Sequence, residues 1–143
     1  MNPFGKLARA ALCATTFLAE RFDVQSSQRY NSADIARSRK LSQAIVAKVL
    51  TVLSQGGLVN GAPGPGGGYV LARPPEDITL LDIVAPFERL EPSLHCPYGE
   101  GWCGVGPRCP LHDRLEAFRT DVNRFLKTTT LKGFRNLPHR AKR

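Results

Sequence analysis

The sequence predicts a mainly α-helical fold with a small β-hairpin wing, arranged as a winged helix-turn-helix with a long C-terminal dimerisation helix. Two observations predict the winged part. Residues 32–55 form a tight pair of helical segments, and a glycine–proline loop, GAPGPGGG, separates two short apolar runs. The third observation is a heptad-like apolar seam near the C-terminus, which predicts the long helix.

The first helix is predicted to run from about Pro3 to Arg21. A short signal peptide is the alternative for this segment, because basic residues precede an apolar run. That run is brief, lacks a convincing cleavage site and repeats at helical spacing, so an amphipathic helix explains it better. No stretch approaches the ~20 apolar residues that span a bilayer. We therefore expect a cytoplasmic protein without a membrane partner. The apolar face predicted for the first helix consists of Leu7, Ala10, Ala11, Ala14, Phe17 and Leu18.

Two further helices are predicted to form the helix-turn-helix. The segment ADIARSR is the first, with Asn31 or Ser32 as its cap. After a polar break near Lys40, SQAIVAKVLTVLSQ is the second, capped by Ser42 and ended by Gly56–Gly57. Its apolar stripe consists of Val46, Val49, Leu50 and Leu53.

The runs LVN and YVLA are predicted to be the strands of the hairpin, and ITLLDIVAPFERL a short helix. The last helix is predicted over PLHDRLEAFRTDVNRFLKT, with Pro110 at its first position. We expect the seam of this helix to pair two copies of the chain, the alternative being packing on the protomer's own core. The seam consists of Leu111, Leu115, Phe118, Val122 and Phe125.

The domain organisation follows from these elements. Residues 1–90 are expected to form the winged DNA-binding domain and residues 91–109 a cysteine-rich loop. Residues 110–130 are expected to form the dimerisation helix, and residues 131–143 a disordered basic tail. The 143-residue chain carries 20 basic and 12 acidic residues, a formal net charge of +8, which indicates a polyanionic partner.

The stretch HCPYGEGWCGVGPRCPLH holds three of the four cysteines and two of the three histidines. Cys96, Cys103 and Cys109 are separated by six and five residues, and His112 completes a Cys-x-x-His pair. Iron–sulfur clusters are bound mainly by thiolates, with histidine as an occasional replacement. Structural zinc sites usually show tighter cysteine pairs, and a disulfide framework is uncommon in the cytoplasm. Three alternatives remain for this stretch: a zinc site, a thiol or disulfide sensor, or cysteines without a function.

The motifs of common enzymes are absent from the sequence. There are no paired carboxylates, no Gly-x-Ser-x-Gly motif and no phosphate-binding loop before a helix, since GPGGGY belongs to the hairpin. We therefore expect neither an enzyme nor a small-molecule substrate. A small iron–sulfur electron carrier is a rival, but it would need no basic helix-turn-helix or wing, which occupy most of this chain.

The segments ADIARSRKLSQAIVAKVLTVLSQGGLV and GPGGGYVLARPPEDITLLDIV, followed by three spaced cysteines, resemble the Rrf-type winged-helix transcriptional regulators of the IscR and NsrR kind. The resemblance covers roughly residues 5–130. It implies a homodimeric regulator, most typically a repressor, that binds double-stranded operator DNA through one winged helix per half-site. Operator affinity would depend on an iron–sulfur cluster that senses redox, iron or nitric oxide status. A cluster-free regulator that senses through thiols is the alternative.

The resemblance also assigns residues that contact DNA. Ser42, Gln43 and Ala44 begin the recognition helix, so Ser42 and Gln43 are expected to contact bases or phosphates. Lys48, one turn further, is expected to contact phosphate. Outside this helix, Arg39 and Lys40 are expected to contact DNA, at positions where the family usually has leucine and glycine. In the wing, contacts are expected from Gly64, Gly66 and Gly67. The residue before them is Pro63, at a position where the family often has arginine.

For the cluster, the resemblance implies Cys96, Cys103 and Cys109 as ligands, with His112 completing a 2Fe–2S site. In some family members a carboxylate near the start of the first helix of the partner subunit supplies the fourth ligand instead, but no acidic residue lies between residues 1 and 19 of this chain. His95 is a second candidate for the fourth ligand. The first cysteine gap is one residue longer than the commonest family spacing, so a 4Fe–4S cluster is the alternative.

Overall fold

The computed structural model describes residues 4–89, 108–135 and 137, and it has the predicted winged-helix order of elements. None of the helices within these residues is long and apolar enough to cross a membrane. The described elements are α1 (Lys6–Glu20), α2 (Ser32–Arg39), α3 (Gln43–Gln55), β1 (Val59–Ala62), β2 (Gly68–Leu71), α4 (Leu80–Val84) and α5 (His112–Thr128), with 3₁₀ helices at Pro75–Asp77 and Leu131–Phe134.

The core lies where α1 packs against α3 and α4. The face that α1 presents to the core is rich in alanine, which allows the neighbouring helices to approach closely. The stripe predicted for α3 is fully buried, as its helical spacing requires. The fully buried large side chains include Ile35, Val46, Val49, Leu50, Leu53, Ile78, Ile83, Leu126 and Leu131.

The helix-turn-helix begins with a capping box. The Asn31 side chain accepts a hydrogen bond from the Asp34 N–H at 2.8 Å, and the Asp34 carboxylate accepts one from the Asn31 N–H at 3.3 Å. The cap is therefore Asn31 rather than Ser32. The helix ends at Arg39, and the residue that follows it, Lys40, adopts the left-handed conformation with φ 54°. A glycine occupies this conformation without the steric cost that a lysine bears.

The wing is an antiparallel hairpin in which Val59 is paired with Leu71 and Ala62 with Gly68. Gly64 and Gly66 have φ values of 82° and 74°, so the tip needs residues that tolerate positive φ. A Cβ on Gly67 would lie 2.2 Å from the Ala62 carbonyl oxygen, so the loop closes too tightly for a side chain there.

The boundaries of three helices differ from the sequence prediction. Helix α1, Lys6–Glu20, is shorter than the predicted span from about Pro3 to Arg21. Pro110 lies in a turn before α5, whose first residue is His112, so it does not occupy the first helical position. Helix α4 is only five residues long, Leu80–Val84, whereas the prediction extended it over ITLLDIVAPFERL. Its start is fixed by a second capping box, in which the Thr79 hydroxyl accepts from the Asp82 N–H at 3.1 Å.

The prediction of a disordered tail from residue 131 is wrong for residues 131–135. Leu131 begins a 3₁₀ helix, is fully buried, and its N–H donates to the Ile78 carbonyl oxygen at 3.0 Å. Arg135 forms an ion pair with Glu76. Burial of the Leu131 side chain therefore favours an ordered conformation of residues 131–135, although the segment is basic. Residues 136 and 138–143 of the predicted tail lie outside the described residues.

Candidate nucleic-acid interface and cysteine–histidine turn

The first turn of α3 is exposed where the sequence places base contacts. Ser42, Gln43, Ala44 and Lys48 are all solvent-exposed, while the opposite stripe of the helix is buried in the core. Because the buried stripe fixes the rotation of the helix, the side chains predicted to contact DNA are turned outward. The structure therefore leaves these four residues accessible to a partner.

The N-terminus of α3 also leaves its backbone donors accessible. The side chain of its N-cap residue Ser42 makes no capping hydrogen bond, and its first turn carries no acidic residue. The first intrahelical bond is donated by the Val46 N–H to the Ser42 carbonyl oxygen at 3.1 Å. The preceding N–H groups of Gln43, Ala44 and Ile45 thus lack acceptors within the helix. Such an end attracts anions such as phosphate through its N–H groups and the helix dipole.

Charge is distributed so that the candidate interface contains no acidic residue. Residues 35–75, from α2 through the wing, include no aspartate or glutamate. The same stretch carries basic side chains on α2, on the turn, on α3 and after β2. A segment of this kind is complementary to the phosphate backbone of DNA. Its basic residues are Arg37, Arg39, Lys40, Lys48 and Arg73.

The two basic residues before α3 differ in their surroundings. Lys40 is exposed beside the start of α3. Arg39 instead donates from Nη2 to Glu20 Oε1 at 2.7 Å and from Nε to the Cys13 carbonyl oxygen at 3.3 Å. The predicted contact between Arg39 and DNA therefore competes with an intramolecular ion pair.

The wing is held to the rest of the domain by contacts that the sequence did not predict. Arg29 Nη1 donates to the carbonyl oxygens of Asn60 at 3.0 Å and Gly68 at 3.3 Å. One guanidinium thus bonds to the backbone of both strands. Gly68, with φ 127°, lies against the Tyr30 backbone, where a Cβ would come within 2.7 Å. The run of glycines before β2 is typical of a close approach between backbone segments. The segment that approaches it, around Tyr30, is too distant in sequence to be identified from the pattern.

Cys109 and His112, two of the four predicted metal ligands, lie in a single turn at the start of α5. The His112 N–H donates to the Cys109 carbonyl oxygen at 3.0 Å, and both residues are half-buried. Beside them, Arg108 and Asp113 form an exposed ion pair at 3.2 Å. The turn brings the Cys-x-x-His pair together. Cys96, Cys103 and the second candidate His95 lie outside the described residues.

Most of the predicted seam of α5 is uncovered. Phe118 and Phe125 are 63% and 52% exposed, and Leu111 and Leu115 are also exposed. Val122 is half-buried against the core, and Leu126, which lies outside the predicted seam, is fully buried. The helix therefore contacts its own protomer mainly through its C-terminal half. Among the residues that the structure describes, Val122 is the one seam residue that packs against the core.

Comparison with protein families places this architecture among known regulators. The family model of Rrf2, described as an iron-dependent transcriptional regulator, matches residues 5–136. A protein of Aquifex aeolicus named as an HTH-type transcriptional regulator is 31% identical over 137 residues, which is 94% of this chain and 92% of that protein. The HTH-type regulator IscR of Escherichia coli is 28% identical over 97 residues, covering 63% of this chain and 59% of IscR.

Solved structures share the fold. CymR of B. subtilis, titled the global cysteine regulator of that organism, superposes with a TM-score of 0.71 at 25% identity, covering 92% of this chain and 95% of CymR. IscR of T. potens superposes with a TM-score of 0.68 at 23% identity, covering 91% of this chain and 83% of IscR. The long helix and wing are therefore part of a recurrent fold.

Proposed function

The chain belongs to the Rrf2 family of transcriptional regulators, and from this premise we propose a homodimeric repressor that binds operator DNA under the control of an iron–sulfur cluster. The observation that carries DNA binding is the exposed, uncapped start of α3 within a 41-residue stretch, residues 35–75, that lacks acidic residues. A catalytic role is not expected for a transcriptional regulator.

In this proposal α3 is the recognition helix. Its N-terminal residues Ser42 and Gln43 contact base edges or phosphates in the major groove, with Ala44 small enough to allow close approach. Lys40 and Lys48 contact phosphates, which sets register and adds affinity without sequence preference. The exposed wing tip around Gly64 and Gly66 approaches the flanking backbone. These roles are supported by the exposure of the side chains and by the lack of acidic residues in the stretch 35–75.

Pairing of two copies through α5 is supported by its exposed seam. Fully burying an exposed phenylalanine or leucine side chain contributes about 1.5–3 kcal/mol. Leu111, Leu115, Phe118 and Phe125 are between 36% and 63% exposed, so covering each of them contributes part of that free energy. A closed two-fold pair would cover the same seam on both protomers. It would also present two recognition helices to half-sites about one DNA turn, roughly 34 Å, apart.

The donor set of the cysteine-rich loop fits an iron–sulfur cluster. Cys109 and His112 share one turn, which is compatible with their binding one centre. A set of thiols with an imidazole as an occasional replacement is of the type that binds 2Fe–2S clusters. Cys96, Cys103, Cys109 and His112 would hold the cluster, with 4Fe–4S as the alternative. When bound, it supplies a redox-active centre that reacts with oxidants or nitric oxide. The iron dependence in the family description agrees with this assignment.

A thiol-sensing regulator without a cluster is the second candidate. The observation that favours it is the similarity to CymR, whose structure is titled that of a global cysteine regulator. Cys109 is half-buried at the start of α5, so its thiol could pair with another cysteine of the same loop. Absorbance of the anaerobically reconstituted protein separates the two candidates.

DNA binding is tested with a duplex selected from a random-sequence pool and a scrambled duplex of equal length, using fluorescence anisotropy. We expect tighter binding of the selected duplex, and a fall in affinity with salt. Lys48→Ala should weaken binding to both duplexes and reduce the slope of log K against log salt by about 0.9. Lys127→Ala, an exposed lysine near the end of α5, is the matched control. Equal binding of the two duplexes by the wild-type protein would refute the proposal.

The cluster is tested by anaerobic reconstitution with ferrous iron and sulfide. We expect visible absorption bands in the wild-type protein, loss of the bands in Cys109→Ala, and an altered spectrum in His112→Ala. Cys13→Ala, which changes the cysteine of α1, is the control and should keep the wild-type spectrum. A colourless wild-type protein whose operator affinity responds to diamide would instead support thiol sensing.

A further inference from the structure

The last turn of α1 contains a cluster of three charges. The Glu20 carboxylate accepts a hydrogen bond from Arg39 Nη2 at 2.7 Å through Oε1, and one from Arg21 Nη1 at 3.3 Å through Oε2. The three side chains are between 18% and 25% exposed, so they are only partly hydrated. One carboxylate thus serves two guanidinium groups, and each of its oxygens has one partner.

The guanidinium groups of Arg21 and Arg39 also contact an aromatic ring. The Arg21 Cζ lies 3.6 Å from the Phe17 ring centroid, and the Arg39 Cζ lies 5.6 Å from it. The Tyr30 ring meets Phe17 edge-on at 5.3 Å. A guanidinium within about 6 Å of a ring face is attracted by the ring quadrupole. Arg39 is therefore held by its ion pair with Glu20, by the ring of Phe17 and by its hydrogen bond to the Cys13 carbonyl oxygen.

This cluster touches both of the elements expected to contact DNA. Arg39 is the last residue of α2, and Lys40, in the left-handed conformation, follows it before α3 begins at Gln43. On the other side, the Tyr30 N–H donates to the Tyr69 carbonyl oxygen at 3.1 Å and the Tyr69 N–H to the Tyr30 carbonyl oxygen at 2.7 Å. The turn before α3 and strand β2 are thus both attached to the end of α1.

We propose that Glu20 is a positioning residue for DNA recognition, which holds Arg39 against α1 and thereby fixes the turn from which α3 starts. The proposal rests on the DNA-binding function proposed above. It has two consequences. Without the Glu20 carboxylate the orientation of α3 is less constrained, so discrimination between sequences falls. Arg39, three residues before Ser42, is also released and becomes available as an additional phosphate contact.

Glu20→Gln tests the proposal, because it removes the charge and keeps the size of the side chain. We expect the ratio of affinities for the selected and scrambled duplexes to fall about tenfold, within the range that one mismatched base pair costs. We also expect the slope of log K against log salt to become steeper by about 0.9, the value of one added phosphate contact. Glu116→Gln, which removes the exposed partner of Arg119 on α5, controls for the change in net charge.

Arg39→Gln keeps the proposal testable if Glu20→Gln does not fold, as judged by circular dichroism. Glu20 then retains Arg21 as a partner, and we expect a lower affinity ratio with an unchanged salt slope. A salt slope reduced by about 0.9 in Arg39→Gln would show that Arg39 contacts phosphate in the wild-type protein, and would overturn the proposal. The proposal would also be overturned if Glu20→Gln had the same salt slope and the same affinity ratio as Glu116→Gln.

The failure of the underlying function gives a different result. A wild-type protein that binds the selected and scrambled duplexes equally contradicts sequence-specific DNA binding itself, whatever the variants do. A wild-type protein that discriminates, together with a Glu20→Gln variant that discriminates equally well, contradicts only the role of Glu20. Adding Arg39→Gln to Glu20→Gln should return the salt slope to the wild-type value.

Discussion

Helices α1 and α5 are both long and amphipathic, yet the fold uses them in opposite ways. The 15 residues of α1 include eight buried ones, whereas the 17 residues of α5 include only Leu126. Periodicity alone does not distinguish the two helices, because both place apolar residues on one face. The difference lies in what covers that face. For α1 it is the rest of the domain, and for α5 we propose a second copy of the chain.

Side-chain size explains why the two helices differ. The buried face of α1 contains many alanines, so α3 and α4 can pack close to its backbone. The seam of α5 carries Phe118 and Phe125, which project outward and are only partly covered. A face of small residues suits the interior of one domain, whereas large exposed apolar side chains are typical of an interface. Substitutions in the two helices should therefore affect different measurements.

The largest expected effect comes from the core face of α1. Phe17 is 3% exposed, so Phe17→Ala should lower the free energy of unfolding by about 3–5 kcal/mol, measured by urea denaturation. Phe118→Ala removes the same atoms from an exposed position. At concentrations where the chain is monomeric, its effect should stay within about 0.5 kcal/mol. Equal losses for both variants would abolish the contrast between α1 and α5.

The attachment of α5 to the domain gives the next effect. Leu131 follows α5 and is fully buried, so Leu131→Ala should lower the free energy of unfolding by about 3 kcal/mol. Leu137, which is 44% exposed, provides the matched control, and Leu137→Ala should leave the denaturation midpoint nearly unchanged. A small effect of Leu131→Ala would mean that residues 131–135 contribute little to the fold.

Pairing should be lost when a charge enters the exposed seam. Phe118→Arg is expected to weaken self-association by at least about 2 kcal/mol, or roughly 30-fold, as measured by sedimentation equilibrium. Circular dichroism should remain that of the folded protein, because the side chain does not contribute to the protomer core. The control Thr120→Arg adds the same charge away from the seam. Equal association of both variants would place the interface elsewhere.

The smallest expected effect concerns the turn attached to α1. Lys40→Gly should raise the free energy of unfolding by about 1 kcal/mol, because glycine adopts a φ of 54° without steric cost. The control Lys48→Gly lies inside α3 and should change stability by about 1 kcal/mol in the opposite direction. Chemical denaturation measures both. A destabilising Lys40→Gly would indicate that the lysine side chain itself holds the turn.

Much of the fold could be predicted from the sequence, because local patterns determined it. The stripe of α3 was predicted from its spacing, and all four of its residues are buried. The hairpin followed from its glycines. The sequence allowed either Asn31 or Ser32 as the N-cap of α2. The capping box that Asn31 forms with Asp34 identifies Asn31 as the cap. Ser42 occupies the cap position of α3, as predicted, but its side chain makes no capping bond.

Contacts between distant residues could not be predicted. Leu131 is a single apolar residue in a basic segment, and no periodicity marks it as buried. Arg39 was predicted as a phosphate contact because it stands beside α3, whereas its ion-pair partner Glu20 lies 19 residues earlier. For the cluster, the sequence predicted four ligands, and the described residues include Cys109 and His112 in one turn. The roles of all these site residues remain predictions.

The anchoring of α5 at its C-terminal end has an evolutionary consequence. Since Leu126 and Leu131 anchor its C-terminal end, the exposed residues around Leu115 and Phe118 can change with little effect on the stability of the winged domain. If α5 pairs two copies as proposed, duplicated copies of such a chain could diverge in this half of the helix until each recognises only itself. Their recognition helices would meanwhile remain under separate selection. Under the proposed function, partner choice and operator choice could therefore evolve independently in this architecture.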